Sequence, residues 1–447
     1  MNNLSVFNVE QDYIAVITSE NQYQYKDLIS MSFNSSQKEL ILIICRNAID
    51  ILSSYVSAIN SGHAVMLMSA DTNNELLQSV VSNYQPKWIV GLNNFNGYEN
   101  DKDKLVRQSE LQIEIHSDLA ILLSTSGTTG SKKFVRLSYD NIRSNAKSII
   151  EYLQIDQNER AIMNLPLSYS YGMSIVNSHL LAGATILLTE ESVMEKSFWK
   201  FVREQKATSI AGVPFTYQML QRIGFTKMDL PHLKTLTQAG GRLNEKLVRL
   251  FAEYAQEHSK RFYVMYGQTE AAPRMSYIPP KRLLDKAGSI GIAIPGGKLR
   301  VDNETSELIY EGPNVMMGYA ESITDLAKGD ELGGLLYTGD TVTMDHEGYF
   351  TITGRMKRFI KLFGLRINLD EMEKKLESEI HTTVVCTGTD DKLIVAIESE
   401  KVVEQVKEAI EKLYKLHRTA YKVKIIDEMP RFSNGKVDYL TLKEICL

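Results

Sequence analysis

The sequence is poor in the residues that mark several common protein classes. Cysteine is scarce: Cys45, Cys386 and Cys446 are the only three, far apart and without a Cys-x-x-Cys pair. That argues against a disulfide framework and a thiolate zinc site, and it suits a reducing compartment. Eight histidines are scattered singly, with no His-Glu-x-x-His run or paired spacing to gather a metal. Positive charge is not in excess, and a net charge of −5 leaves no basic footprint for nucleic acid. The longest aliphatic run, Leu40–Cys45, is strand-sized and cannot span a bilayer. Met-Asn-Asn-Leu-Ser at the start has no basic segment followed by an apolar stretch, so no signal peptide is expected and a cytoplasmic location is. Internal repeats and low-complexity tracts are absent. So is any Gly-x-x-x-x-Gly-Lys-Ser/Thr spacing, which points away from P-loop NTPases.

What is present reads as an ordinary globular chain, 43% apolar and 23% charged. At 447 residues it is too long for one compact core, so two or more domains are expected. Short apolar, β-branched runs at 39–45, 64–68, 88–92, 184–189, 208–211 and 262–265 read as strands. Helical periods at 48–61, 141–153, 198–205 and 244–258 lie between them. This alternation predicts parallel sheets with helices on both faces. From about Ala287 the texture turns to short strands with Gly and Pro turns, a small β-rich unit. After Arg355 a compact α+β tail follows, with helices at 369–380 and 402–416 and strands at 383–387 and 393–398. The main boundary is expected near Lys357.

Four segments hold residues suited to nucleotide chemistry. Ser124-Thr125-Ser126-Gly127-Thr128-Thr129-Gly130-Ser131-Lys132-Lys133 follows the apolar run 119–123. Glycines let backbone N–H groups converge on an anion, hydroxyls add donors and lysine adds charge, which makes a phosphate cradle; the bland reading is a surface turn. Val264-Met265-Tyr266-Gly267-Gln268-Thr269-Glu270 sets an aromatic, a hydroxyl and a carboxylate at a strand end, where open α/β sheets bind ligands. A tyrosine face can stack on a purine and a carboxylate can hold Mg²⁺ beside phosphates, although the segment alone also reads as a plain turn. Tyr337-Thr338-Gly339-Asp340, followed by Gly354-Arg355, presents an aspartate on a tight turn, fit for ribose hydroxyls or simply a hairpin. Arg431-Phe432-Ser433-Asn434-Gly435-Lys436 sets a lysine behind an Asn-Gly turn, able to neutralise charge on a phosphate or merely solvated.

Together and in this order, these segments resemble the motifs of the adenylate-forming superfamily: acyl-CoA synthetases, peptide-synthetase adenylation domains and luciferases. The resemblance runs from about Tyr25 to the C-terminus. It implies an α/β fold with a large N-terminal domain, 1–356, of two doubly wound αβ subdomains plus a small β-rich unit. A small mobile α+β C-terminal domain, 357–447, would follow. Ser126, Gly127, Thr128, Thr129, Gly130 and Lys133 would bind the ATP phosphates. Tyr266, beside Gly267, would stack on adenine, Thr269 would touch the α-phosphate and Glu270 would hold the metal. Asp340 matches the ribose-binding aspartate, and Arg355 the arginine that assists it. Gly240-Gly241-Arg242 sits where the family forms the wall between nucleotide and acyl group, with Tyr169, Gly172 and Val213 in the acyl pocket. Lys357 falls at the hinge, Gly364-Leu365-Arg366-Ile367 resembles the loop lining the pantetheine tunnel, and Lys436 matches the mobile lysine that catalyses adenylation.

Two departures from the family pattern stand out. Lys132 and Phe134 flank Lys133 where proline and glycine are common. In Pro166-Leu167-Ser168-Tyr169-Ser170-Tyr171-Gly172, Tyr169 stands where histidine is usual, and a tyrosine cannot take a positive charge near neutral pH. The implied activity is ATP- and Mg²⁺-dependent activation of a small-molecule carboxylic acid to an acyl-adenylate, then transfer to a thiol. CoA is the favoured acceptor, and the phosphopantetheine of an acyl carrier protein the alternative. An α-amino acid would need a buried carboxylate for its ammonium group. Peptide-synthetase domains place an aspartate in the stretch matching 168–174, and no acidic residue occurs there, so an apolar or aromatic acid without an α-amino group is expected. A non-catalytic nucleotide-binding protein on the same fold would be expected to lack the metal carboxylate or the C-terminal lysine; Glu270 and Lys436 are both present.

Overall fold

A computed structural model describes residues 12–124, 133–356, 358–362, 365–389, 392–432 and 435–446. By compactness the described chain divides into two units, one of 12–124, 133–299 and 310–336, the other of 300–309 and 337–446. This division is a different quantity from the hinge expected at Lys357, which lies outside the described residues.

The first unit is built on two sheets. In one, six parallel strands run in the order Arg261–Gly267, Thr235–Gln238, Ser209–Gly212, Arg160–Met163, Thr185–Leu188, Ile14–Ile17. Antiparallel strands extend it, Gln22–Gln24 at one edge and Arg274–Ile278 with Ile292–Ala293 at the other. In the second sheet four parallel strands run Leu119–Ser124, Ala64–Ser69, Leu40–Cys45, Trp88–Val90. Phe134–Ser138 and Gly318–Ala320 add to one side of it, Lys104–Arg107 and Tyr98–Asp101 to the other, all antiparallel.

The unbroken apolar runs follow from burial on both faces. Within Leu40–Cys45, Ile41, Ile43 and Cys45 enter a core that also takes Ala161, Met163 and Ile186 from the other sheet. Leu40, Leu42 and Ile44 point the opposite way, into a cluster with Leu77, Val80 and Val81 of helix Asn74–Tyr84. The period of two splits the run between two cores, so no polar residue appears in it. Helix Tyr139–Leu153 starts where a capping box forms: the Ser138 hydroxyl accepts from the Asn141 N–H and the Asn141 side chain accepts from the Ser138 N–H. The strands and helices expected from sequence all form, with ends shifted by no more than two residues. The antiparallel strands at the sheet edges are additions to that pattern.

The second unit takes most of a four-stranded sheet ordered Lys298–Val301, Glu307–Glu311, Leu335–Met344, Phe350–Arg355. Its C-terminal part holds the hairpin Phe359–Leu362 with Leu365–Asn368, helix Leu369–Ile380 and helix Val403–Tyr414. A three-stranded sheet follows, Val385–Thr389 antiparallel to Lys392–Ile397, which pairs in parallel with Tyr421–Ile425. Asn368 caps helix Leu369–Ile380 by accepting the N–H groups of Asp370 and Glu371. Met372, Leu376, Val395 and Ile410 give this part a core of its own. Cys45, Cys386 and Cys446 are buried and unpaired. Among the described residues no helix is long and apolar enough to cross a membrane.

Candidate active site

Strands Leu119–Ser124 and Phe134–Ser138 are antiparallel neighbours, with Ser124 opposite Phe134. The loop between them, with Ser126, Gly127, Thr128, Thr129 and Gly130, lies outside the described residues; Lys133 at its end does not. The Lys133 ammonium lies 3.7 Å from the ring centroid of Tyr319 and 3.8 Å from a Glu321 carboxylate oxygen. Tyr319 sits on the next strand, Gly318–Ala320, opposite Val135. Its hydroxyl donates to Glu270 Oε1 at 2.9 Å. Burial first, and then the facing Glu270 carboxylate, push the Tyr319 phenol well above its ordinary range, so it stays a donor at neutral pH. Sheet pairing therefore gathers Lys133 and Glu270 around one tyrosine. Tyr319 was not expected from sequence; its apolar neighbours give no signal.

Beyond strand Arg261–Gly267 the chain reverses into Arg274–Ile278. A Cβ at Gly267 would overlap the Pro273 carbonyl oxygen, so this return needs glycine. Tyr266 is partly buried, and its hydroxyl accepts from Gln268 Nε2 at 3.1 Å. Thr269 opens the short 3-10 turn Thr269–Ala271, and its Oγ1 lies 3.2 Å from Ser170 Oγ. Ser170 is the first residue of helix Ser170–Leu181, with Tyr169 at its N-cap. Two hydroxyls thus join segment 264–270 to segment 166–172, a link the sequence did not reveal.

Tyr169 is buried, which pushes its phenol up, so it is neutral. Gly240 has a φ of +84°, and a Cβ there would overlap Tyr169 Oη and stand 3.3 Å from Val213 Cγ1. Gly240, Tyr169 and Val213 form one contact. A Cβ on Gly241 would lie 3.1 Å from Pro214 Cγ, and Arg242 is exposed. Gln238, fully buried, braces this turn by donating to the carbonyls of Ala239 at 3.2 Å and Gly241 at 2.9 Å. Gly172 has a packing reason of its own, since a Cβ there would overlap the Pro166 carbonyl oxygen.

In the second unit Asp340 is not on a tight turn, as its Thr-Gly-Asp context suggested. It lies within the ten-residue strand Leu335–Met344, opposite Arg355. The turn residues distort the strand instead: Gly339 has a φ of +72°, and its N–H donates to Glu307 Oε1 at 2.8 Å. Arg355 Nε donates to Asp340 Oδ1 at 3.0 Å; the Asp340 side chain is 3% exposed and that of Arg355 61%. At Lys436 the Phe432 N–H donates to the Lys436 carbonyl oxygen at 2.9 Å, and the Gly435 N–H donates to Phe432 O at 2.8 Å. Gly435 has a φ of +79°, a conformation that favours glycine. Lys357 and Gly364 lie outside the described residues.

Among the described residues no group of three or more His, Cys, Asp or Glu could hold a metal by itself. Magnesium is commonly held by one or two carboxylates plus substrate phosphates, and the oxygen donors of Glu270 fit that mode.

This doubly sheeted α/β unit sets a carboxylate and hydroxyls beyond a strand end, the place where open α/β sheets bind ligands. The profile of the AMP-binding enzyme family matches residues 31–320, and the chain belongs to that family. It is similar to the feruloyl-CoA synthase of Amycolatopsis sp, 28% identical over 273 residues that cover 58% of this chain and 54% of the relative. It is also similar to the medium-chain fatty-acid–CoA ligase of Escherichia coli strain K12, 26% identical over 356 residues, 74% of this chain and 62% of the relative. The chain thus spans little more than half the length of these curated relatives. Among solved structures, O-succinylbenzoate coenzyme A synthetase (MenE) from Bacillus subtilis, in complex with AMP, gives a TM-score of 0.78 at 18% identity, covering 97% of this chain and 95% of that one. ATP-bound MatB from Rhodopseudomonas palustris gives 0.75 at 20% identity, covering 99% of each. The two structures share the fold.

Proposed function

We propose that this protein uses ATP to convert a carboxylic acid to an acyl-adenylate, releasing pyrophosphate, and then passes the acyl group to a thiol. CoA is the favoured thiol and carrier-protein phosphopantetheine the alternative. The observation that carries this reading is the gathering of Lys133, Tyr319, Glu270, Thr269 and Ser170 in a member of the AMP-binding enzyme family.

A carboxylate is a poor acyl donor because its leaving group would be oxide. Its oxygen attacks the α-phosphorus of ATP; an O–P bond forms while the bond to the bridging oxygen breaks, and pyrophosphate departs. Charge builds on the phosphate oxygens, where the Lys436 ammonium, the Thr269 hydroxyl and the N–H groups of 126–130 offset it. Glu270 would hold Mg²⁺, which when bound supplies further positive charge beside the phosphates. Tyr266 stacks on adenine, Asp340 accepts the ribose hydroxyls and Arg355 steadies that carboxylate. Tyr169 and Val213, packed on Gly240, bound the acyl side. In the second half-reaction the thiol sulfur, its proton lost, attacks the acyl carbon and the C–O bond to AMP breaks. Lys436 serves the first step and the Gly364 loop the second, with the exchange made at a hinge near Lys357.

The acid lacks an α-amino group, because no acidic residue in 168–174 pairs an ammonium. A reducing, cytoplasmic setting suits the three unpaired cysteines. Pyrophosphate exchange over a panel of acids with ATP and Mg²⁺ tests the reading, and exchange with non-amino acids is expected. Exchange confined to amino acids refutes it. Offering CoA and a phosphopantetheinylated carrier to the same preloaded adenylate decides the acceptor.

A further inference from the structure

We propose that Arg274 is a specificity residue, the counter-ion for a second anionic group on the acid, so that the preferred substrate is a dicarboxylate. This rests on the adenylation reading and narrows its substrate class, replacing a wholly apolar acid.

Arg274 opens strand Arg274–Ile278 directly opposite Gly267, which sets it beside the nucleotide segment. It is 2% exposed. The side chains that its guanidinium bonds or stacks on are neutral. Nε donates to Ser174 Oγ at 3.1 Å, and Nη1 faces Tyr152 Oη at 3.2 Å and Met265 Sδ at 2.7 Å. The guanidinium carbon lies 4.4 Å from the ring centroid of Tyr171. Among the described residues no carboxylate stands within ion-pair distance of it. Glu159 lines the same cavity, but its carboxylate accepts from the Thr208 hydroxyl and lies 3.8 Å from Arg261.

A buried cation among neutral partners is costly unless an anion comes to it. Ser174 and Tyr171 belong to helix Ser170–Leu181, whose first residue touches Thr269. The unpaired charge therefore lies between the acyl-pocket segment and the nucleotide segment. Its planar fork suits a carboxylate, and it repels an ammonium.

His179 lines the same cavity as Arg274, and its Nδ1 lies 2.9 Å from the Ile175 carbonyl oxygen, to which it donates. Its Nε2 is buried and has no partner among the described residues. Burial, with the Arg274 charge as a lesser cause, pushes the imidazole down to about 4. His179 is thus neutral and cannot act as a second cation. It is instead a reporter, because an anion on Arg274 relieves the repulsion and raises its ionisation.

Pyrophosphate exchange on the full chain with matched pairs, hexanoate against adipate and benzoate against the benzenedicarboxylates, tests the assignment. Wild type is expected to favour a diacid by at least about tenfold in kcat/KM, the scale of a charge-assisted hydrogen bond. R274M is expected to lower diacid exchange by about 100-fold and invert the ratio, with R274K between. Histidine-selective ¹⁵N NMR on wild type should show the ionisation of His179 rising with the diacid and not with the monoacid. Equal or better use of monoacids by wild type overturns the proposal, as does an equal loss of both acids in R274M, which would make Arg274 a strut. Absence of exchange with every acid would count against adenylation instead, and the His179 titration then decides the role of Arg274 by itself. Should R274M not fold, the wild-type ratio and R274K decide it.

Discussion

Among single residues, Gly240 is constrained by its contact with Tyr169 and Val213. A side chain at Gly240 meets two obstacles of different kind. The left-handed backbone, at φ +84°, costs a residue with a Cβ about 1–2 kcal/mol. The Cβ would also overlap Tyr169 Oη, while the ring carbon Cζ stands back at 3.3 Å. G240A is therefore expected to lower the melting temperature and to weaken pyrophosphate exchange. In the same background Y169F removes the overlapping atom, so it is expected to recover the steric part of the loss and leave the backbone part. Thermal denaturation and exchange assays on the two single variants and the double variant separate these. A double variant no better than G240A would show that the hydroxyl contact does not matter.

Among the elements, helix Ser170–Leu181 ties the site to the core and carries a pH dependence. All its residues from Ser170 to Leu180 are buried, His179 among them. The His179 imidazole falls from its ordinary value of 6.5 to about 4 in the fold, while the unfolded chain keeps the ordinary value. Between these values the unfolded state binds the extra proton, so stability present above pH 6.5 is lost as pH falls towards about 4. The loss is at most roughly 3 kcal/mol. Urea denaturation across this range should show that slope in wild type and a shallower one in H179Q; equal slopes would sink the assignment. The same helix explains what the sequence did and did not disclose. Tyr139–Leu153 and Glu245–Glu257 bury only part of their surface, so their helical period was readable. Ser170–Leu181 is buried on every side as far as Leu180, so no contrast between an apolar and a solvent-facing side marks its period. Gly318–Ala320 and Ile292–Ala293 are too short to show a strand pattern. Thr269 and Glu270 drew notice as candidates because hydroxyl and charge cluster locally, and Gly240 only through the family resemblance. Tyr319 and Arg274 gain meaning only by lying opposite Val135 and Gly267, which no local pattern encodes.

At the scale of the whole molecule the proposed chemistry divides between two compact units. Thr269, Glu270 and Lys133 belong to the first, Asp340 and Lys436 to the second. The two half-reactions ask for charge at different atoms: the first gathers it on the α-phosphate, the second on the acyl carbonyl under attack by sulfur. A lysine that serves only the first is dispensable once the adenylate exists. K436A is therefore expected to lower acid-dependent pyrophosphate exchange by about 100- to 1,000-fold, the usual scale for losing one group that stabilises developing charge. Thioester formation from a chemically synthesised acyl-adenylate and CoA should fall by less than about tenfold in the same variant. Lys436 is partly exposed, and thermal denaturation of K436A beside wild type separates a loss of chemistry from a loss of folding. Equal loss of both half-reactions would make Lys436 a residue of the common binding site. The segment after 357 would then need no different presentation in the two steps, and the hinge proposed near Lys357 would lose its purpose.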